Sequence, residues 1–177
     1  MNLSAHDLKT YLRSPVVDRS ELGPQIAQFV RDEFGMVTAD SMVPYASAAH
    51  ASFAFRIDQS GKNVEAKPFA DGMSQWEWKF AVSCRAPLIT CRTFSIKPML
   101  DQGERRPGTF YDLDERPRTE AVEWTLRVAR QFKLTYVEAS DLRKVIVTYD
   151  EVDPEFNGAL QHEPDEPDAF QVLFLEY

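Results

Sequence analysis

The chain has 177 residues, 44% of them hydrophobic and 12% aromatic, which is enough for one domain with its own core and too apolar for a disordered polymer. Two cysteines, an early Asp7 and no apolar leader argue against a disulfide-stapled secreted module, and no apolar run approaches a membrane span. A cytoplasmic protein without membrane association is expected.

The net charge of −8 is unevenly placed. Residues 138–177 hold eleven acids against Arg143 and Lys144, whereas residues 1–137 hold seventeen acids against eighteen bases. The whole imbalance therefore sits in the last forty residues. Such a surface repels phosphate backbones, so no nucleic acid partner is expected, and it attracts a basic surface. An acidic segment that serves only solubility is the plainer alternative.

Along the chain, Ser4 to Arg13 reads as a short helix. Ser4 can cap it, Asp7 can answer the cap, and Leu8, Tyr11 and Leu12 share one side before Pro15. A second helix opens at Pro24, carries Ile26, Phe29, Val30 and Phe34 on one stripe, and meets Gly35 where a left-handed cap would sit. Val37, Met42 and Val43 offer short strand pieces. Ala51 to Ile57 alternates as a strand, Asp58 to Gly61 turns, Val64 to Phe69 returns as a second strand, and Asp71-Gly72 signals a tight hairpin.

Residues 71–97 anchor the sheet. Trp76, Trp78, Phe80, Val82 and Cys84 fall on even positions and Glu77, Lys79 and Ser83 on odd ones, the period of a strand with one dry face. The following strand, Ile89 to Ile96, has two plausible registers. A symmetric loop at Ala86 to Ile89 would set Cys84 opposite Cys91 and permit a disulfide. A register slipped by one would bring Phe94 and Ile96 to the tryptophan face and leave two free thiols, and burial favours it.

Lys97-Pro98 and Asp101 to Gly108 read as a polar connection with a turn at Pro107-Gly108, and Phe110 to Leu113 as a short strand before Asp114-Glu115-Arg116-Pro117. Thr119 opens the best-marked helix, with Ala121, Trp124, Val128 and Phe132 on one side, Val122, Leu126 and Ala129 broadening it, and Glu123 with Arg127 as an exposed pair. Leu134 to Val137 looks extended, Ser140-Asp141 can cap one more turn, and Val145 to Val147 reads as a strand. Asp150 to Asp168 contains eight acids, three prolines and no Lys or Arg, an exposed loop by composition. Ala169 to Leu175, apolar on both parities, reads as a closing strand covered on both faces.

The expected fold is a single α+β domain over residues 1–177: an antiparallel meander sheet of about five to seven strands, covered by two N-terminal helices and one long helix in the C-terminal half, with an exposed acidic loop at 150–168.

Catalytic signatures are sparse. His6, His50 and His162 lack metal-ligand spacing, although His162 lies among Glu163, Asp165 and Glu166. The seven glycines form no phosphate loop, so no cofactor is expected. A nucleophile pairing of Cys84 or Cys91 with His50 stays open, though buried strand thiols are usually inert. The aromatic set Trp76, Trp78, Phe80, Phe53 and Phe55 would serve as a core against Trp124 or, alternatively, line a small-molecule pocket.

Two resemblances bear on function. The run FRIDQSGKNVEAK, with Asp58, Glu65 and Lys67, resembles the core of the PD-(D/E)XK nucleases, with Glu33 as a possible helical carboxylate. That resemblance implies two carboxylates holding Mg²⁺ and a lysine activating water. The second covers about sixty residues: the helix Thr119 to Lys133, the extended Leu134-Thr135-Tyr136-Val137 and the apolar Ala169-Phe170-Gln171-Val172-Leu173-Phe174. This third of the chain resembles small bacterial immunity proteins of polymorphic toxin systems. It implies a non-catalytic inhibitor that docks an acidic surface on a basic toxin or effector. The candidate contact residues are Asp150, Glu151, Asp153, Glu155, Phe156, Leu160, Glu163, Asp165, Glu166 and Asp168, with Phe156 and Leu160 as apolar anchors.

Overall fold

The computed structural model describes residues 3–15, 17, 21–34, 38–41, 52–58, 75–101, 104–152 and 167–174. Among them are helices α1 (Ala5–Leu12), α2 (Leu22–Phe34), α3 (Thr119–Gln131), α4 (Ala139–Leu142) and α5 (Ala169–Phe174). The strands are β1 (Thr38–Ser41), β2 (Ser52–Asp58), β3 (Gln75–Ser83), β4 (Leu88–Asp101), β5 (Glu104–Leu113) and β6 (Thr135–Tyr136), and a 3-10 turn spans Tyr149–Glu151.

The fourteen-residue β4 is the spine of the sheet. One edge pairs antiparallel with β3, from Val82 opposite Ile89 to Gln75 opposite Ile96. The other edge is shared: β6 pairs with Leu88 and Ile89, and β5 with residues from Phe94 to Asp101. On the far side β3 pairs with β2, and β2 with β1.

The class is α+β, but the expected antiparallel meander of five to seven strands under three helices is overturned by the β6 pairing, which is parallel. The sheet is mixed, and its centre, β3, β4 and β6, is a three-stranded mixed unit surrounded by five described helices. The cause is a crossover. β5 leaves β4 near its middle, α3 carries the chain back across one face, and the next strand must start alongside Leu88 and run with β4. Parallel neighbours need a connection of about a dozen residues, which α3 and its flanks supply.

Both faces of the centre are dry, each against a different set of helices. Trp78, Phe80, Val82, Cys84, Ile89 and Cys91 pack on Ile26 and Val30 of α2 and on Ala121, Val128 and Ala129 of α3. Ala81, Leu88 and Val137 pack on the opposite side with Leu12 of α1, Leu142 of α4 and all the apolar residues of α5. The two N-terminal helices thus separate, α1 to one face and α2 to the other.

Two-sided burial also explains the register. The pairing sets Phe80 opposite Cys91 and Trp78 opposite Thr93, so odd residues of β4 share the tryptophan face and Phe94 points away from it. The slipped register loses because the far face is covered as well, which removes the burial advantage that favoured it. Cys84 and Cys91 share a face, Cys91 lies opposite Phe80 rather than Cys84, and both are buried thiols outside any disulfide.

The closing segment is a helix, not a strand. Asp168 and Gln171 form a reciprocal cap: the Gln171 backbone N–H donates to Asp168 Oδ1 at 2.8 Å, and the Asp168 N–H to Gln171 Oε1 at 2.9 Å. Ala169, Phe170, Val172, Leu173 and Phe174 are all buried, so apolar residues on both parities reflect a helix enclosed on most sides. The expected strand at Val145 to Val147 reduces to one bridge between Ile146 and Asp168. The expected connection at 97–108 is instead strand up to Asp101 and from Glu104, with an irregularity between Pro98 and Leu100 that accommodates the proline. The expected returning strand Val64 to Phe69 and the Asp71-Gly72 hairpin lie outside the described residues.

Candidate functional site

Of the ten candidate docking residues, Asp150, Glu151 and Asp168 are described. Asp153, Glu155, Phe156, Leu160, Glu163, Asp165 and Glu166 lie outside the described residues, as do His50 and His162. Asp150 is exposed. Glu151 meets Lys9 of α1 at 3.7 Å and accepts a hydrogen bond from the Thr148 N–H, and Asp168 is committed to the α5 cap. These last two carboxylates therefore serve the fold.

The nuclease residues are not gathered by anything described. Asp58 ends β2 opposite Glu77, while Glu65 and Lys67 lie outside the described residues. Glu33 is bound to Arg127 of α3 at 3.1 Å, so Arg127 ties α3 to α2 instead of making the expected pair with Glu123. Among the described residues no group of three or more His, Cys, Asp or Glu is placed to hold a metal.

Trp78 and Phe80 are fully buried, with Trp78 ringed by Phe80, Trp124 and Phe34 at centroid separations of 4.9, 5.3 and 5.9 Å. They belong to the core. The side chains of Trp76, Phe53 and Phe55 lie outside the described residues.

Among the described residues, one concave feature lies where β4's edge passes from β6 to β5. A cleft of about 460 Å³ opens there, lined by Cys91 and Arg92 of β4, the turn from Leu113 to Pro117, Tyr136, and the α4 segment from Glu138 to Lys144. Its upper wall is fixed by Asp114. Thr93 Oγ1 donates to Asp114 Oδ2 at 2.6 Å, Ser95 Oγ to Oδ1 at 2.7 Å, and Arg118 Nε to Oδ2 at 3.3 Å. The Arg118 N–H donates in turn to Thr93 Oγ1, so the start of α3 hangs from the same cluster. Burial alone would raise the Asp114 pKa, but the two hydroxyl donors and Arg118 outweigh it and hold the carboxyl below its ordinary value.

At the cleft's floor Cys91 Sγ and Tyr136 Oη share a hydrogen bond at 3.7 Å. Burial pushes the Cys91 thiol up, more than bonds to Thr125 and Tyr136 pull it down, and the Glu138 charge adds to the rise. Tyr136 is raised as well, by burial first and then by Cys91 and Glu138. A thiol in this state is a poor nucleophile. Beneath it Trp78 Nε1 donates to Thr125 Oγ1 at 3.0 Å, and Thr125 donates to the Ala121 carbonyl at 2.7 Å. On the other face Arg92 and Arg143 lie over the Phe170 ring at 4.5 and 4.9 Å, clamping α5 to the sheet.

Fold and site together define an α+β domain whose mixed sheet is enclosed by helices and interrupted along one edge by a cleft. No protein-family model matches the chain, and no curated protein or solved structure is significantly similar to it. No helix among the described residues is long and apolar enough to cross a membrane.

Sequence patterning missed the Asp114 cluster, Tyr136 and Glu138. No local pattern marks Asp114, and only the β4–β5 register brings Thr93 and Ser95 to it. One signal was readable: Thr125 sits in the middle of the apolar stripe of α3, where a hydroxyl needs a partner.

Proposed function

We propose that this protein is a non-catalytic protein-binding module, an inhibitor of the immunity-protein kind, that docks an acidic surface on a basic bacterial toxin or effector. The observation that carries this reading is the placement of charge: eleven acids against two bases in residues 138–177, on a body that is otherwise near neutral. Glu138, Asp141 and Asp150 of that segment are exposed, and Glu138 has no cationic partner among the described residues. Long-range attraction of this sign speeds encounter with a basic partner and disfavours acidic ones.

The test is recovery of a partner from the native host by the full chain and by a variant with Asp153→Asn, Glu155→Gln, Glu163→Gln, Asp165→Asn and Glu166→Gln. Asp168 is left in place because it caps α5. The reading expects a basic partner that the neutralised variant loses; equal recovery by both forms rejects it.

A further inference from the structure

We infer that the partner's anchoring segment seats in a second depression, between α1 and the β6–α4 corner, and that it carries an apolar side chain beside a lysine or arginine. This rests on the proposed function and names the part of the surface that does the gripping. The depression measures about 430 Å³ and is walled by Leu3 and Leu8 on one side and by Val137, Leu142 and Val145 on the other. It shares Tyr136, Glu138 and Asp141 with the larger cleft, so the two depressions adjoin at the β6–α4 corner.

Three observations select a basic and apolar occupant. First, two of the four exposed large aliphatic side chains among the described residues are adjacent here: Val145 is 37% and Ile146 56% exposed, although their neighbour Val147 is fully buried. Two adjacent large aliphatic side chains left in water beside an apolar depression are the expected footing of a contact core. Second, Glu138 stands at that corner as an exposed carboxylate whose single described hydrogen bond is a long one from Ser140 at 3.5 Å. The other rim acid, Asp141, is already matched by Lys144 at 2.9 Å, so Glu138 is the one positioned to take a cation from outside. Third, the bridge from Ile146 to Asp168 ties this patch to the residue at which the acidic segment ends. The division of labour is the usual one: distributed charge sets the encounter rate, and a desolvated apolar anchor with one ion pair sets the residence time.

The experiment uses the full chain with ¹³C-methyl labels on Leu and Val, titrated with a synthetic lysine–leucine amphipathic peptide and with its glutamate–leucine counterpart. The inference expects methyl shifts at Leu3, Leu8, Leu142 and Val145 with the lysine peptide alone. Val145→Asp and Glu138→Gln, both at exposed positions, should each weaken binding about tenfold or more. Binding of the lysine peptide that ignores both substitutions but disappears on neutralising the acids at 153–166 overturns the seat while sparing the proposed function. Binding of neither peptide, or of both equally, overturns seat and charge reading together. Self-association of the free chain that Val145→Asp abolishes assigns the patch to a second copy and likewise overturns the inference.

Discussion

Replacing Asp114 tests whether the turn that walls the cleft is held by its carboxylate. The side chain is about one-fifth exposed and accepts from Thr93, Ser95 and Arg118. A hydrogen bond to a charged group contributes roughly 1.5–3 kcal/mol when it is shielded from water. The three here do not sum in full: Arg118 is about one-third exposed, Ser95 can turn to solvent, and Thr93 Oγ1 keeps the Arg118 N–H. Asp114→Ala should therefore cost about 3 kcal/mol and Asp114→Asn, which keeps one acceptor, about half that. With a urea slope near 2 kcal/mol/M the alanine midpoint falls by about 1.5 M. The pH dependence is the sharper part. Because the folded-state pKa is depressed, the contribution is fully present above the unfolded carboxylate value and is lost as pH falls through the folded one. The gap between wild type and Asp114→Asn should be flat from pH 7 to about 5 and close below about pH 4. Equilibrium urea unfolding by tryptophan fluorescence across that range measures it. A gap under about 0.5 kcal/mol at pH 7, or one that persists unchanged into acid, would refute the reasoning.

Thr125→Val keeps the shape of α3 but leaves the buried Trp78 Nε1–H without its acceptor, and should cost about 1–3 kcal/mol with a shifted tryptophan emission. Lys133 adopts a left-handed φ of 54° just past α3, where the Leu134 N–H closes a six-residue cap on the Ala129 carbonyl, so Lys133→Gly should stabilise by roughly 1 kcal/mol in thermal unfolding. Native Cys84 and Cys91 should react with a disulfide reagent at pH 8 at least about a hundredfold more slowly than in urea, since both are buried and Cys91 is held protonated. Phe174→Ala should cost about 3–5 kcal/mol, because the ring is fully buried in the enclosed α5; a change under about 1 kcal/mol would mean the helix is not core.

Local signals are legible in this sequence and long-range ones less so. The Ser4 cap was legible because Ser4 Oγ accepts from the Asp7 N–H three residues away. The limits of α3 were legible because a broad apolar stripe has a clear period, and β3 because its alternation spans five apolar positions. The parallel β6 was not, since two residues, Thr135 and Tyr136, carry no pattern and their direction is set by how far α3 carries the chain. The register of β4 is not legible from burial on one face, because α5 covers the other. The segment 169–174 is ambiguous in sequence because an apolar run fits a strand and a buried helix alike, although Asp168 and Gln171 spell a capping box that decides it. The candidate site divides the same way. Charge placement is a property of sequence, but the cleft exists only because β5 and β6 share one edge of β4.

The most direct measurement is the composition of what the chain retains from its native host, at low and at moderate salt, before and after neutralising the five acids between residues 153 and 166, with circular dichroism confirming that both forms fold. The account predicts one basic protein held by the native chain, weakened by salt and lost from the neutralised form. Undiminished retention by the neutralised chain, or retention of an acidic protein, would contradict it.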